Sequence, residues 1–377
     1  MDKLNILWDA HVVSNDGKNF LHNADPCHHI AVNMSKLIGC IMTSNVEHTD
    51  YILDGRISRY EFDMPYWQER LKDVDVLITD QSTHIRNLKV ANPKVTIYML
   101  TPFIDIQKHP KVEEPYRYYL RQTDSMLVAD KVVAQSGFNA VEYVKQVNQL
   151  TGVDISDKIL IWPWGYSQEE VDKYKNINSF AVPTIFFPNR ITESTDNYHY
   201  REFADAIGMI PEDIAKKAIF IYRNPTRKVT ANQVKTIKKL SKNRADIIPN
   251  KEQHTRREYM EFINASHCSV HLCTKTHRGM SHDESAAMGN ITISPNLGSS
   301  KEFWAGHKDY PFLLHKVLDH GIDSKELSRL LILYIDVYYN NQRVVSELSH
   351  TSIMLAKQFS YESVFKKIQD GSEIRVN

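Results

Sequence analysis

The chain is poor in cysteine: Cys27, Cys40, Cys268 and Cys273 are scattered through 377 residues without a CxxC pair. That density excludes a disulfide-stapled secreted module and a zinc ribbon, and favours a reducing compartment. Charge of one sign is missing as well, since 46 Lys and Arg meet 46 Asp and Glu. A uniformly basic nucleic-acid coat is excluded, although a local patch is not. No stretch approaches the ~20 apolar residues of a membrane span. The apolar run at 4–8 is shorter than a signal-peptide core. The expectation is a soluble, cytoplasmic protein with no membrane partner. The 13 glycines nowhere form GxGxxG after the first strand, and no Walker motif occurs. Nicotinamide dehydrogenases and P-loop enzymes are thereby disfavoured.

What is present is an alternation of short apolar runs with amphipathic segments. Strands are predicted at 4–8, 76–79, 95–100, 131–134 and 159–162, and again at 184–187, 218–222, 246–248, 269–273 and 291–294. Helices are predicted between them, at 27–38, from Asp63 as N-cap with Pro65 in the first turn, at 113–126, at 141–150 behind a Ser136 cap, and at 198–206, 232–240 and 256–264. A charged, turn-rich stretch at 171–181 separates two such series, and the chain from 325 onward reads as helical. At ~100–200 residues per domain, two domains are expected. The predicted fold class is α/β, two facing Rossmann-like domains with an interdomain cleft. Its domains are 1–170 on the acceptor side, 171–345 on the ligand side, and 346–377 as a helix returning to the first. Open parallel sheets bind ligands beyond the carboxyl ends of their strands.

The most informative segment is 281–290, Ser-His-Asp-Glu-Ser-Ala-Ala-Met-Gly-Asn. Asp283 and Glu284 fall near a helix start, where acids complement the helix dipole. Ala286, Ala287 and Gly289 allow close backbone approach. A solvated capping turn is one reading, and a ligand carboxylate is the other. This segment resembles the donor-site helix of GT-B glycosyltransferases, with Glu302 as a second acid beyond the next strand. The resemblance implies that Glu284 holds the ribose hydroxyls of a nucleotide sugar, with Asp283 beside it. Residues 184–190 resemble the strand and loop whose arginine, here Arg190, meets the donor diphosphate. Residues 246–248, ending at Ile248, and 256–264 resemble the strand and helix that bracket the base. Residues 359–362 resemble the start of the terminal helix.

The pattern departs from that family at two places. Many retaining members carry a second Glu at the position of Thr276. The lysine that often follows the diphosphate arginine is absent after Arg190, so Arg223, Arg227 or Arg278 is expected to supply the charge. Residues 96–105 resemble the segment carrying the catalytic Asp of phage DNA glucosyltransferases, which act on hydroxymethylated cytosine. Sugar transfer needs a base near the acceptor hydroxyl and positive charge on the leaving diphosphate. Asp105 and His11 are the candidate bases, against the plainer readings of a capping acid and a loop histidine. No metal is expected. Asp73 and Asp75 precede their strand, and His267, Cys268, His271 and Cys273 lack zinc spacing. The Lys/Arg excess at 216–257 reads as a solvated helix face or a phosphate-tracking surface.

The combined expectation is a glycosyltransferase with a UDP-type nucleotide-sugar donor, no cofactor, and double-stranded hydroxymethylated bacteriophage DNA as favoured acceptor. A glycan-directed transferase and a non-catalytic nucleotide-sugar-binding protein are the alternatives.

Overall fold

The computed structural model describes residues 5–10, 30, 33–34, 37, 41–44, 62–79, 84–100, 115–175, 180–189, 191, 199–223, 229–248, 256–274, 279–307, 309–318 and 321–369. The chain divides into two compact units. One comprises Met1–Trp164 with Val364–Asn377, and the other Gly165–Ser363.

The first unit is built on strands β1 (Ile6–Ala10), β2 (Ile41–Ser44), β3 (Val76–Thr79), β4 (Thr96–Leu100), β5 (Lys131–Ala134) and β6 (Ile159–Ile161). They form one sheet in the order β2-β1-β3-β4-β5-β6, with every neighbouring pair parallel. Parallel neighbours require crossovers, and helices supply them. The sequence marks where several begin and end. The amide of Tyr66 donates to Asp63 Oδ1 at 3.0 Å, capping the Met64–Arg70 helix with Pro65 in its first turn. Ser136 Oγ accepts from the amide of Asn139 at 3.2 Å, opening Gly137–Thr151. That helix closes on Gly152 at φ 74°, a left-handed cap that favours glycine. Leu77, Ile97, Met99 and Val132 from the sheet pack with Leu71, Leu88, Tyr143 and Val147 from the helices.

The second unit holds β7 (Thr184–Phe187), β8 (Ile219–Arg223), β9 (Ala245–Ile248), β10 (Cys268–Val270), β11 (Ile291–Pro295) and β12 (Leu313–Leu314). Their order is β12-β11-β10-β7-β8-β9, again parallel throughout. The chain runs outward from β7 to β9, then returns to lay β10 on the other side of β7. The order therefore reverses between β7 and β10, which makes that point of the carboxyl edge the natural ligand crevice. Strand β7 is buried at all four residues, as a strand covered on both faces must be. Phe187 stacks on Phe203 at 5.4 Å, and Phe203 meets Tyr222 at 5.1 Å. The Tyr222 hydroxyl donates to the Tyr200 carbonyl at 2.7 Å, so this buried tyrosine is satisfied.

Several elements differ from expectation. The first strand runs on through Asp9, which is fully buried and accepts from Thr79 Oγ1 at 3.0 Å. Strand β2 was not anticipated. The expected strand 269–273 ends at Val270, leaving His271 onward as a loop at the carboxyl edge. The expected turn-rich stretch 171–181 starts inside a helix, Gln168–Tyr174, which Ser167 opens by capping the amide of Glu170 at 3.2 Å.

Candidate functional site

The carboxyl edge of the second unit's sheet gathers the charged groups. Arg223 is the last residue of β8, in register with Ile248 at the end of β9. The residue is 3% exposed. Its Nε and Nη2 are buried and have no hydrogen-bond partner among the described residues. The guanidinium lies 4.9 Å from the Phe262 ring centroid and 5.5 Å from that of Tyr259. Such stacking returns ~0.5–2 kcal/mol, whereas an unpaired buried charge costs on the order of several kcal/mol. Burial accordingly pushes the Arg223 pKa down, only partly offset by Tyr259 and Glu258. On the next strand, Asn189 is buried just beyond β7, and its Nδ2 also lacks a partner among the described residues. Three donor nitrogens without a partner among the described residues therefore sit at the ends of adjacent strands.

The second cluster centres on Glu284, which is fully buried in the helix Met280–Ala287. That helix begins after Gly279, so Asp283 lies in its first turn and Glu284 in the next. Glu284 is therefore no solvated cap. Its Oε1 accepts from Arg256 Nη2, while Oε2 is buried and without a partner among the described residues. Arg256 opens the helix Arg256–Ala265 and also binds Glu170 Oε2, through Nη2 at 2.7 Å and Nε at 3.2 Å. Burial pushes the Glu284 carboxyl pKa upward, with Arg256 opposing it. Burial works against the Arg256 charge too, but the two carboxylates outweigh it and hold its pKa above the ordinary value. Tyr259 joins the two clusters. Its ring lies 5.7 Å from the Arg256 guanidinium and its hydroxyl pairs with Ser281. Asp283 is buried and its Oδ1 is 3.3 Å from His282 Nδ1. The His282 ring lies 5.0 Å from that of buried His271.

Of the expected site residues, Arg223, Ile248, Asp283 and Glu284 are thus placed in the second unit, and Tyr259 links the groups around Arg223 and Glu284. Asp105, His11, Arg190 and Arg278 lie outside the described residues. Arg256, Glu170, Tyr259 and Asn189 were not anticipated as site residues. A lone arginine at a helix start carries no sequence signal for the carboxylate it reaches 86 positions earlier. Among the described residues no group of three or more His, Cys, Asp or Glu could hold a metal ion, and no helix is long and apolar enough to cross a membrane.

Chemically, this edge offers buried cationic and amide donors beside a buried anionic acceptor. The fold that presents them is shared with known structures. Trehalose-6-phosphate synthase OtsA superposes with a TM-score of 0.69 at 10% identity, covering 98% of this chain and 99% of that one. An E. coli trehalose-6-phosphate structure bound with UDP-2-fluoro glucose gives 0.68 at 10% identity, with the same coverage. HepE of Anabaena in complex with UDP and glucose gives 0.65 at 11% identity, over 98% of this chain and 99% of that one. No protein-family model matches the sequence, and no curated protein matches it by sequence. The fold is GT-B, two Rossmann-like α/β units in one chain.

Proposed function

We propose that this chain is a glycosyltransferase that takes a UDP-type nucleotide-sugar donor at the carboxyl edge of the second unit's sheet. One observation carries the reading. Arg223 Nε and Nη2 and Glu284 Oε2 are buried atoms of oppositely charged groups, each lacking a hydrogen-bond partner among the described residues, and Tyr259 connects their surroundings. A nucleoside diphosphate needs that pair of features. Its diphosphate takes charge-assisted donors, and its ribose hydroxyls donate to a carboxylate. The UDP and UDP-2-fluoro glucose of the neighbours named above agree with this class of donor.

In the proposed reaction the acceptor hydroxyl loses its proton to a base and attacks the anomeric carbon, and the diphosphate leaves. Charge grows on that diphosphate, where Arg223, with Arg190 and Arg278, neutralises it without a metal. Asp105 and His11 remain the candidate bases. Asp283 supports the donor helix, and Ile248 borders the base. Hydroxymethylated DNA, in the cytoplasm of a bacteriophage host, is the acceptor implied by the sequence resemblance. The printed names of the neighbours above mention no DNA acceptor, so this acceptor rests on the sequence resemblance.

Calorimetry tests the donor assignment. Glu284→Gln should weaken UDP binding by ~1.5–3 kcal/mol, the scale of hydrogen bonds to a charged group. A 2′,3′-dideoxy nucleotide should bind the wild type poorly and the variant no worse. Equal UDP affinity in wild type and variant would remove Glu284 from the donor site.

A further inference from the structure

Arg256 grips Glu170 with one edge of its guanidinium. Nε and Nη2 both point at the same oxygen, Glu170 Oε2, at 3.2 and 2.7 Å. That edge is one of the two with which a guanidinium can clasp both oxygens of a carboxylate. With the edge engaged, Arg256 reaches Glu284 by Nη2 alone and touches Oε1 alone. Glu284 Oε2 is left buried and without a partner among the described residues.

We propose that Glu170 is a positioning residue of the donor site, which holds Arg256 to a single-point contact with Glu284 and so keeps Oε2 open for a ribose hydroxyl. This rests on the reading of Glu284 as the ribose carboxylate. Three observations support it. Glu170 sits on a helix, Gln168–Tyr174, whose start is fixed by the Ser167 cap. The Arg256 side chain is only 13% exposed, so few other partners compete for it. Arg256 favours the charged, accepting form of Glu284, against burial and the neighbouring carboxylates, which favour the protonated form. Without Glu170 the freed edge closes on both oxygens of Glu284, and the ribose hydroxyl loses its acceptor.

The test uses the full chain, calorimetry, and two probes, UDP and 2′,3′-dideoxy-UDP. Glu170→Ala is expected to weaken UDP binding by about tenfold and upward, the range of a hydrogen bond to a charged group. Its dideoxy-UDP affinity should not move, so the preference for the hydroxylated nucleotide collapses. Glu170→Gln keeps an oxygen acceptor at the Arg256 edge and is expected to restore part of that preference. Adding Glu284→Gln to Glu170→Ala should cost nothing more. A Glu170→Ala protein that keeps the wild-type preference overturns the proposal. So does equal weakening of both nucleotides with a lowered thermal midpoint, which is the mark of a merely structural ion pair. A wild type that never distinguished the two probes would instead overturn the reading of Glu284, and the role of Glu170 with it.

Discussion

Replacing Arg223 with methionine separates stability from ligand binding. Methionine has a similar length and no charge, and it can stay in contact with the Phe262 and Tyr259 rings. Wild-type Arg223 is 3% exposed, with two guanidinium nitrogens unpartnered among the described residues. Its desolvation is repaid only in part by ~0.5–2 kcal/mol of ring stacking. Exchanging a buried charge for a packed apolar group is commonly neutral or stabilising by ~1–4 kcal/mol. Arg223→Met should therefore raise the stability of the second unit by about 1–2 kcal/mol, toward the lower end because the stacking is lost. For a unit of that size this corresponds to roughly 2–8 °C in the midpoint. Saturating UDP, at about a hundred times its Kd, should add ~2.7 kcal/mol to the wild type. The variant should gain far less, because its UDP affinity falls by ~1.5–3 kcal/mol. The order of midpoints should then narrow or reverse when UDP is added. Uridine, which has no phosphates, should bind both proteins alike. Thermal unfolding with and without UDP, and calorimetry with both ligands, read all of this out. A variant less stable than the wild type that binds UDP with unchanged affinity would refute the reasoning.

Three further outcomes are expected. Burial and the neighbouring His282 hold the His271 pKa well below its ordinary 6.5. The unfolded chain therefore binds the proton more readily, and the His271 contribution is intact above the ordinary value and is lost as pH falls below it. His271→Phe should flatten that acid limb in a pH series of denaturant midpoints, and an unchanged limb would show that His271 does not cause it. A Cβ at Gly208 would lie 2.1 Å from the Leu240 carbonyl oxygen. Gly208→Ala should thus destabilise by ~1–3 kcal/mol, despite alanine's better helix propensity, and a stabilised variant would contradict that packing. Asp105→Asn should lower turnover by ~10²–10⁴ with donor binding intact if Asp105 is the base, whereas near-normal turnover would pass the role to His11.

Much of the α/β alternation was legible because it is local. Residues 185–187 form a continuous apolar run, and the structure buries them together with Thr184. Asp63 and Ser136 cap the helices they announce, since a capping oxygen reaches only the next few amides. Strand β2 was missed because its four residues, Ile-Met-Thr-Ser, carry too little alternation to stand out. The site was legible only in part. Glu284 could be singled out from its small neighbours, but its link through Arg256 to Glu170 depends on three helices meeting in space. The orphaned nitrogens of Arg223 are likewise a property of packing, which no local pattern encodes.

The most direct measurement is turnover of a nucleotide-sugar panel with hydroxymethylated DNA, unmodified DNA and simple glycans as acceptors, followed by mass spectrometry of the acceptor. The expected result is release of UDP from one UDP-sugar, matched by one hexose or pentose gained on a hydroxyl-bearing acceptor, and lost in Arg223→Met. A steep fall with salt would mark DNA as that acceptor. UDP binding with no sugar transferred to any acceptor would contradict the glycosyltransferase assignment.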